Sequence, residues 1–523
     1  MRISWLMIAG YGLLMAAFDA ACGASYDEMW RPQVHYSPPA MWMNDPNGLI
    51  QIDGQYHLYF QHHPASKVWG PMHWGHAISN DLMHWTTMPI ALAPDSHGAI
   101  FSGSAVQDRQ HSSGLSVQED QPIVAIFTYH DHEAEAANRV EIESQGAAYS
   151  LDKGRTFQKL PSPVLANPGK RDFRDPQVQW NAASHQWLMT IVATDHVEFY
   201  TSADLKKWNY ESEFGREQGD HSGVWECPNL IRMTGVDDGE AHDVLMVSVG
   251  PKGPSARGGV QYFTGRFDGQ RFRMDPGSHA QWLEYGTDYY AAVTWNRDTT
   301  PPESPPVLLG WMNNWLYATK VPTDPWRGAM ALPRNLKLAG RTPTLRLEAS
   351  PLQALTELRD PGRHQDRIDA GQWASFPAST SPMSGAYDIS FQLTMEGDGE
   401  ALLALENGVG QSVGIEIDPL RAKMTVRRHT SGHVDFDARF SDPLEAALPL
   451  GRSEHDVRII IDRSSMEIFF DNGAATLTAQ VFPDESFDRL RWVGGADVHL
   501  HDLAIYPLRS IWSSQSGHEA ENP

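Results

Sequence analysis

From Gly48 onward the chain is written in short apolar runs separated by turn residues, with little of the spacing that an amphipathic helix needs. Gly48 to Phe60 carries the hairpin signal Asp53-Gly54, and Ile123 to Tyr129 and Trp187 to Ala193 are apolar runs of strand length. A loose repeat punctuates them: Ser79-Asn80-Asp81-Leu82-Met83-His84-Trp85, Ser150-Leu151-Asp152-Lys153-Gly154-Arg155-Thr156-Phe157 and Ser202-Ala203-Asp204-Leu205-Lys206-Lys207-Trp208. Phe267-Asp268-Gly269-Gln270-Arg271-Phe272 is a fainter relative. Each is a polar turn closed by an aromatic, as one hairpin per repeated unit requires. Their irregular spacing disfavours a solenoid and predicts a β-propeller, in which radial sheets tolerate loops of different length.

Between Gly340 and Asp369 the pattern turns polar and charged, including Arg359-Asp360-Pro361-Gly362-Arg363, which predicts a connector over 341–368. Beyond it Ala386 to Met395, Ala401 to Leu405, Val413 to Ile417, His455 to Ile461 and Met466 to Phe470 predict a second all-β unit of sandwich type over 369–512. The expected fold is all-β, with a propeller over 30–340, the connector, the sandwich and a polar tail over 513–523. A length of 523 residues exceeds what one hydrophobic core usually serves, which agrees with two domains. At the other end, Met1 and Arg2 precede an apolar run from Ile3 to Phe18, too short for a mature membrane anchor and read as part of a signal peptide over 1–24. Cys22 follows two alanines and weakly resembles a lipoprotein acceptor, but Asp19 departs from that pattern and cleavage near Ala24 is the preferred reading. A secreted or periplasmic protein is expected, on a membrane only if Cys22 is lipidated.

The 41 Lys and Arg against 65 Asp and Glu leave a formal charge of −24, which repels phosphate backbones and makes nucleic acid an unexpected partner. Cys22 and Cys227 are the two cysteines, so loss or lipidation of the first leaves a mature chain without an intramolecular disulfide. The 18 Trp matter only where indoles lie near carboxylates, because flat apolar faces suit sugar rings.

Cleavage of a glycosidic bond needs one carboxyl group protonated as acid and another ionised as nucleophile or base. Asp45 lies in Met41-Trp42-Met43-Asn44-Asp45-Pro46-Asn47-Gly48, where Pro46 and Gly48 favour a tight turn and Asn44 and Asn47 offer hydrogen bonds that favour its charged form. Asp175 lies in Phe173-Arg174-Asp175-Pro176, where the adjacent guanidinium favours the charged form. Glu226 lies in Val224-Trp225-Glu226-Cys227-Pro228, between an indole and a thiol, where desolvation is expected to raise its pKa toward that of a general acid. Alone, each segment reads more readily as a simple turn.

Together, and in this order, they resemble glycoside hydrolase family 32, which includes invertases, inulinases and levanases. The resemblance extends through His35-Tyr36-Ser37-Pro38-Pro39, Tyr59-Phe60-Gln61, Trp69-Gly70-Pro71-Met72-His73-Trp74-Gly75-His76 and Phe101-Ser102-Gly103-Ser104. It continues in Asp288-Tyr289-Tyr290-Ala291, Trp311-Met312-Asn313-Asn314-Trp315, Gly328-Ala329-Met330-Ala331-Leu332-Pro333-Arg334 and Asp462-Arg463-Ser464-Ser465-Met466-Glu467-Ile468-Phe469. It implies a five-bladed propeller followed by a β-sandwich, with Asp45 as nucleophile, Glu226 as acid/base and Asp175 as a stabiliser of the transition state. It further implies substrate contacts from Asn44, Gln61, Trp69, Phe101, Ser102, Arg174, Tyr289, Trp311 and Trp315. The implied reaction is retaining hydrolysis that releases terminal fructose from fructans or sucrose, with no cofactor, no metal and no protein partner. The sequence departs from the family at Met41, where Gly is frequent, at Gln177, where Lys is frequent, and at Asn335, where Glu is frequent.

Other chemistries fit less well. His62, His63, His73 and His76 suggest a metal, but they fall in an aromatic, strand-like run inside a family motif that uses none. Cys227 has His221 as its nearest base in sequence and is expected to pack beside Glu226 rather than act as a nucleophile. A fructan-binding propeller without catalysis is disfavoured by the presence of all three carboxylates. Fructosyl transfer to a sugar acceptor stays open, because water and sugar compete through small differences at the pocket rim.

Overall fold

The computed structural model describes residues 25–116, 121–251, 258–296, 304–380, 384–494 and 497–512. The leader expected over 1–24 and the tail expected over 513–523 lie outside the described residues. Nearly all of the regular structure is β-strand.

Five antiparallel sheets form the N-terminal part. Their innermost strands are Met41–Ile52, Ala99–Gln107, Phe173–Asn181, Trp225–Thr234 and Tyr290–Thr294, and each runs outward into further strands of its own blade. Neighbouring inner strands touch around a closed ring, fifth against first included. Trp326–Arg327 adds a short parallel strand to blade one, pairing Met41 with Trp326, so a late segment of the propeller fastens onto its beginning. The apolar side chains gather in layers between adjacent blades. Tyr59, Trp74, Ile100 and Phe127 fill the space between blades one and two, and Val197, Phe199, Trp225 and Phe263 that between three and four. A sheet covered on both faces favours continuous apolar runs over alternation. This is why Gln186–Ala193 is buried at every position after the first.

The turn repeat marks one place in each of four blades, the link from the third strand to the fourth. Ser79 Oγ accepts from Leu82 N at 2.8 Å and Asp81 Oδ1 from Met83 N and His84 N at 2.9 and 2.8 Å. Asp152 Oδ1 accepts from Arg155 N and Thr156 N, Asp204 Oδ1 from Lys206 N and Lys207 N, and Asp268 Oδ1 from Gln270 N and Arg271 N. Aspartate is used because its short side chain can satisfy the amides of its own turn.

The C-terminal unit is a sandwich of two six-stranded sheets. One runs in space as Arg363–Ile368, Val498–Pro507, Tyr387–Met395, Glu454–Asp462, Ser465–Phe470 and Ala475–Gln480. The other runs as Trp373–Ser375, Arg489–Val493, Ala401–Glu406, Ser412–Asp418, Lys423–Thr430 and Leu444–Ala447. The segment expected as a connector is largely folded. Arg346–Pro351 is the outer strand of blade five and Arg363–Ile368 an edge strand of the sandwich, joined through the short 3-10 turn Gln353–Leu358. In the first, half-buried positions alternate with Leu347, Ala349 and Pro351, whereas the second buries only Ile368 after five polar residues, so no apolar pattern marks it as a strand.

Candidate active site

All five inner strands break register with their neighbours at one level of the ring. Asn44-Asp45 oppose Gln61, Phe101-Ser102 oppose Thr128, and Asp175-Pro176 oppose Ile191. Cys227-Pro228 oppose Val247, and Ala291-Ala292 oppose Gly310. Such two-against-one bulges bend a strand and re-aim the side chains at the bend. Pro46, Pro176 and Pro228 lie in or beside three of them, where a residue without an N–H leaves no ladder donor unmet. Asp175, Cys227 and Ala291 take left-handed φ angles of 61°, 48° and 53°. The tight turn expected at Pro46 and Gly48 is therefore a pair of successive bulges inside one continuous strand, Met41–Ile52.

Asp45, Asp175 and Glu226 come from blades one, three and four and converge here. Asn44 Nδ2 donates to Asp45 Oδ1 at 3.0 Å and Ser102 Oγ to Asp45 Oδ2 at 2.7 Å. Asn44 is itself held by Trp42 Nε1, which donates to its Oδ1 at 2.7 Å. Asn47, expected to serve Asp45, instead accepts from Gln61 Nε2 at 2.8 Å. Asp175 Oδ2 accepts from Cys227 N at 2.9 Å, and Asp175 N donates to Thr128 Oγ1 at 3.0 Å. Glu226 Oε1 is gripped by Arg174 through Nε and Nη2 at 3.2 and 3.0 Å, and its other oxygen accepts from the Tyr290 hydroxyl. Arg174 also reaches Glu143 Oε1 at 3.0 Å and Asp172 Oδ1 at 2.7 Å. Below this ring a channel of about 860 Å³ follows the inner strands, lined by Cys227, Asn229, Arg232 and Thr234 from one of them.

Burial raises the Asp45 carboxyl above its ordinary range, and the charge of Glu226 adds to the shift. Burial pushes Asp175 up to about 8, against the opposing pull of Arg174. The expectation that neighbouring asparagines and Arg174 would keep both groups ionised is thus reversed, because desolvation outweighs the hydrogen bonds and the single guanidinium. Glu226 contacts Arg174 and Tyr290 rather than its sequence neighbours, since alternation along the strand sends Trp225 to the opposite face, where Nε1 donates to Asp220 O at 2.7 Å. The Cys227 thiol, expected beside Glu226, lies 3.5 Å from Asp45 Oδ2 and 3.7 Å from Asp175 Oδ2. Burial and then Asp45 hold it protonated, which removes it as a nucleophile.

Of the aromatics, Trp69 is exposed, while Phe101 and Trp315 are half-buried. Trp311 is fully buried and backs Trp42 and Trp315, with ring centroids 6.0 and 4.9 Å away. Tyr289 is the clearest correction. It is fully buried between blades four and five under the Arg334 guanidinium, 4.3 Å from its centroid, and its neighbour Tyr290 faces the site. Both tyrosines were visible in Asp288-Tyr289-Tyr290-Ala291, but the choice between them depends on strand phase at a bulge, which the motif does not carry. Glu143 and Thr128, which position Arg174 and Asp175, stand in segments without any motif.

A propeller with carboxylates converging in its central funnel, one of them locked to an arginine, has the equipment for hydrolysing a glycosidic bond. Comparison with known proteins makes the class specific. Residues 35–349 match the glycosyl hydrolases family 32 N-terminal domain and residues 354–507 the glycosyl hydrolases family 32 C-terminal domain, and the chain belongs to this family. It is 40% identical over 528 residues to a levanase of Bacillus subtilis (strain 168), covering 98% of this chain and 76% of the relative. It is 36% identical over 524 residues to an extracellular exo-inulinase of Aspergillus ficuum, covering 94% and 96% of the two chains. The crystal structure of exo-inulinase from Aspergillus awamori superposes with a TM-score of 0.83 at 32% identity, covering 93% of this chain and all of that one. Met41, where the family often has glycine, takes a φ of 70°, the left-handed region in which glycine is unstrained.

Proposed function

We propose that the protein is a retaining exo-acting β-fructosidase that releases terminal fructose from levan or inulin and from sucrose. In this reading Glu226 protonates the leaving oxygen while Asp45 attacks the anomeric carbon, and water then hydrolyses the fructosyl-enzyme with Glu226 acting as base. Asp175 and Arg174 bind fructose hydroxyls, and Tyr290 fixes the acid/base. Asn44 and Ser102 orient the nucleophile, Gln61 braces Asn47 beside it, and Trp69, Phe101 and Trp315 meet the sugar at the rim.

The observation that carries the reading is the convergence of Asp45, Asp175 and Glu226 from three blades at one ring of bulges, with Arg174 and Tyr290 on Glu226. A substrate that displaces water and fills Asp45's surroundings with hydroxyl donors favours the carboxylate form that attack requires. The chemistry belongs to the propeller, and the sandwich braces it. Export, with cleavage near Ala24, agrees with the extracellular relatives; anchoring through Cys22 is the alternative.

The test is incubation of the purified protein with levan, inulin and sucrose while early products are resolved by size. Fructose alone from a polymer supports the reading and ranks the linkages. Early oligosaccharides point to endo cleavage, longer products than the substrate to fructosyl transfer, and no product at all overturns it.

A further inference from the structure

A second cluster of donor side chains sits at the lip of the funnel. His130 ends the strand Ile123–His130, and Asp131 caps the short helix His132–Ala136 by accepting from Glu133 N and Ala134 N, both at 2.9 Å. That corner holds Glu135 Oε2 3.0 Å from His130 Nε2 and 3.3 Å from His132 Nδ1. One ligand atom from each of the three residues lies within 4.8 Å of the others. Ligands around a tetrahedral zinc ion, at about 2.0–2.1 Å from the metal, stand roughly 3.3 Å from one another, close to the two separations from Glu135.

The other nitrogen of His130 faces the buried Glu143, with Nδ1 3.5 Å from Oε1. Nδ1 makes no hydrogen bond at that distance and Nε2 pairs with Glu135, so an ion taken up here would displace the Nε2 proton and leave Glu143 as the carboxylate behind the imidazole, the arrangement found behind metal-binding histidines. We propose that His130, His132 and Glu135 form a binding site for a divalent transition metal of the zinc class, with water as the remaining ligand. Two imidazoles favour zinc, nickel or copper over the hard cations calcium and magnesium. The cluster of His196, Glu198 and Glu213 is less suited, because Lys170 and Arg216 already pair with its carboxylates.

The site bears on the funnel through two contacts. Phe101 stacks on His130 with centroids 4.2 Å apart and planes 9° from parallel, and Trp69 meets both Phe101 and His132 edge-on at 5.8 and 6.2 Å. An ion held by both histidines therefore fixes the aromatic lip. Glu143 joins His130 to Arg174, and Arg174 holds Glu226.

Zinc chloride titrated calorimetrically into the metal-stripped protein, free of any histidine tag, decides the matter independently of hydrolysis. The wild type is expected to take up one ion at this site and to gain thermal stability from it. His132→Ala and Glu135→Gln, at a half-buried and an exposed position, are each expected to weaken binding by more than about 10-fold, since loss of even a residue behind a ligand costs about 10–100-fold, and to lose the thermal gain. Zinc affinity unchanged in both variants, zinc binding lost only in His196→Ala, or no zinc uptake by the wild type overturns the proposal.

Discussion

The funnel and the seam between propeller and sandwich each bury acidic side chains, yet in the funnel Asp45 and Asp175 are driven toward the protonated form while at the seam Asp462 and Glu467 stay charged. At the seam burial alone would raise Glu467, but Arg334 and His35 outweigh it and hold the carboxyl at about 2. His35 shows the reciprocal effect: burial pulls it down, but hydrogen bonds to Asp462 and Glu467, at 2.7 and 2.8 Å, raise it to about 9. Arg334 spans Glu284 at 2.7 Å and Glu467 at 2.6 Å, and Arg428 of the sandwich pairs with Asp288 of the propeller, all fully buried. The seam supplies a cation for its acids; the funnel offers three carboxylates chiefly one guanidinium, itself shared with Glu143 and Asp172. Burial thus leaves an acid charged where the fold places a cation beside it and drives it toward the neutral form where it does not.

The largest effect that sharpens this contrast is expected at Glu226. Glu226→Gln should lower kcat by about 10²–10⁴-fold, the range for a lost general acid/base, while unfolding in urea stays near wild type. Glu467→Gln should do the opposite, costing about 3–5 kcal/mol of unfolding free energy by leaving buried Arg334 and His35 underpaired, with kcat per folded molecule little changed. Equal destabilisation by the two variants would break the comparison.

Next comes pH. His35, raised to about 9, contributes stability that is complete below its unfolded value of about 6.5 and is lost as pH climbs through 9. Asp462 and Glu467, both lowered, contribute stability that is present above their unfolded values of about 4 and lost as pH falls toward 2. Unfolding free energy measured across pH should therefore decline on the alkaline side, and His35→Gln should flatten that decline. The smallest expected effect is a gain. Asp175, raised to about 8, weakens the fold as pH rises through that value. Asp175→Asn should therefore stabilise the protein by about 0.5–2 kcal/mol, more at pH 8 than at pH 5, at the expense of activity; a loss of stability would contradict the electrostatic account.

Much of this was legible in residue order. The apolar runs and the serine-aspartate turns marked strands and outer hairpins, because strand length and amide-satisfying turns are local properties. Asp45, Asp175 and Glu226 stood out by their motifs. His35 and the Asp462 to Glu467 motif were recognisable too, but not as partners, since they lie at opposite ends of the chain and meet only when sandwich packs on propeller.

What residue order alone determined, then, was the all-β character, the two units and the identity of the three acids. The tertiary structure decided which face each side chain took, choosing Tyr290 over Tyr289, sending Cys227 to the two aspartates and turning the Asp-Pro segments into bulges. It also decided the direction in which the carboxyls of Asp45, Asp175, Asp462 and Glu467 shift. Desolvation and charge pairing sum over neighbours from distant strands, so the same residue in the same motif is charged or protonated according to how many cations the fold places beside it.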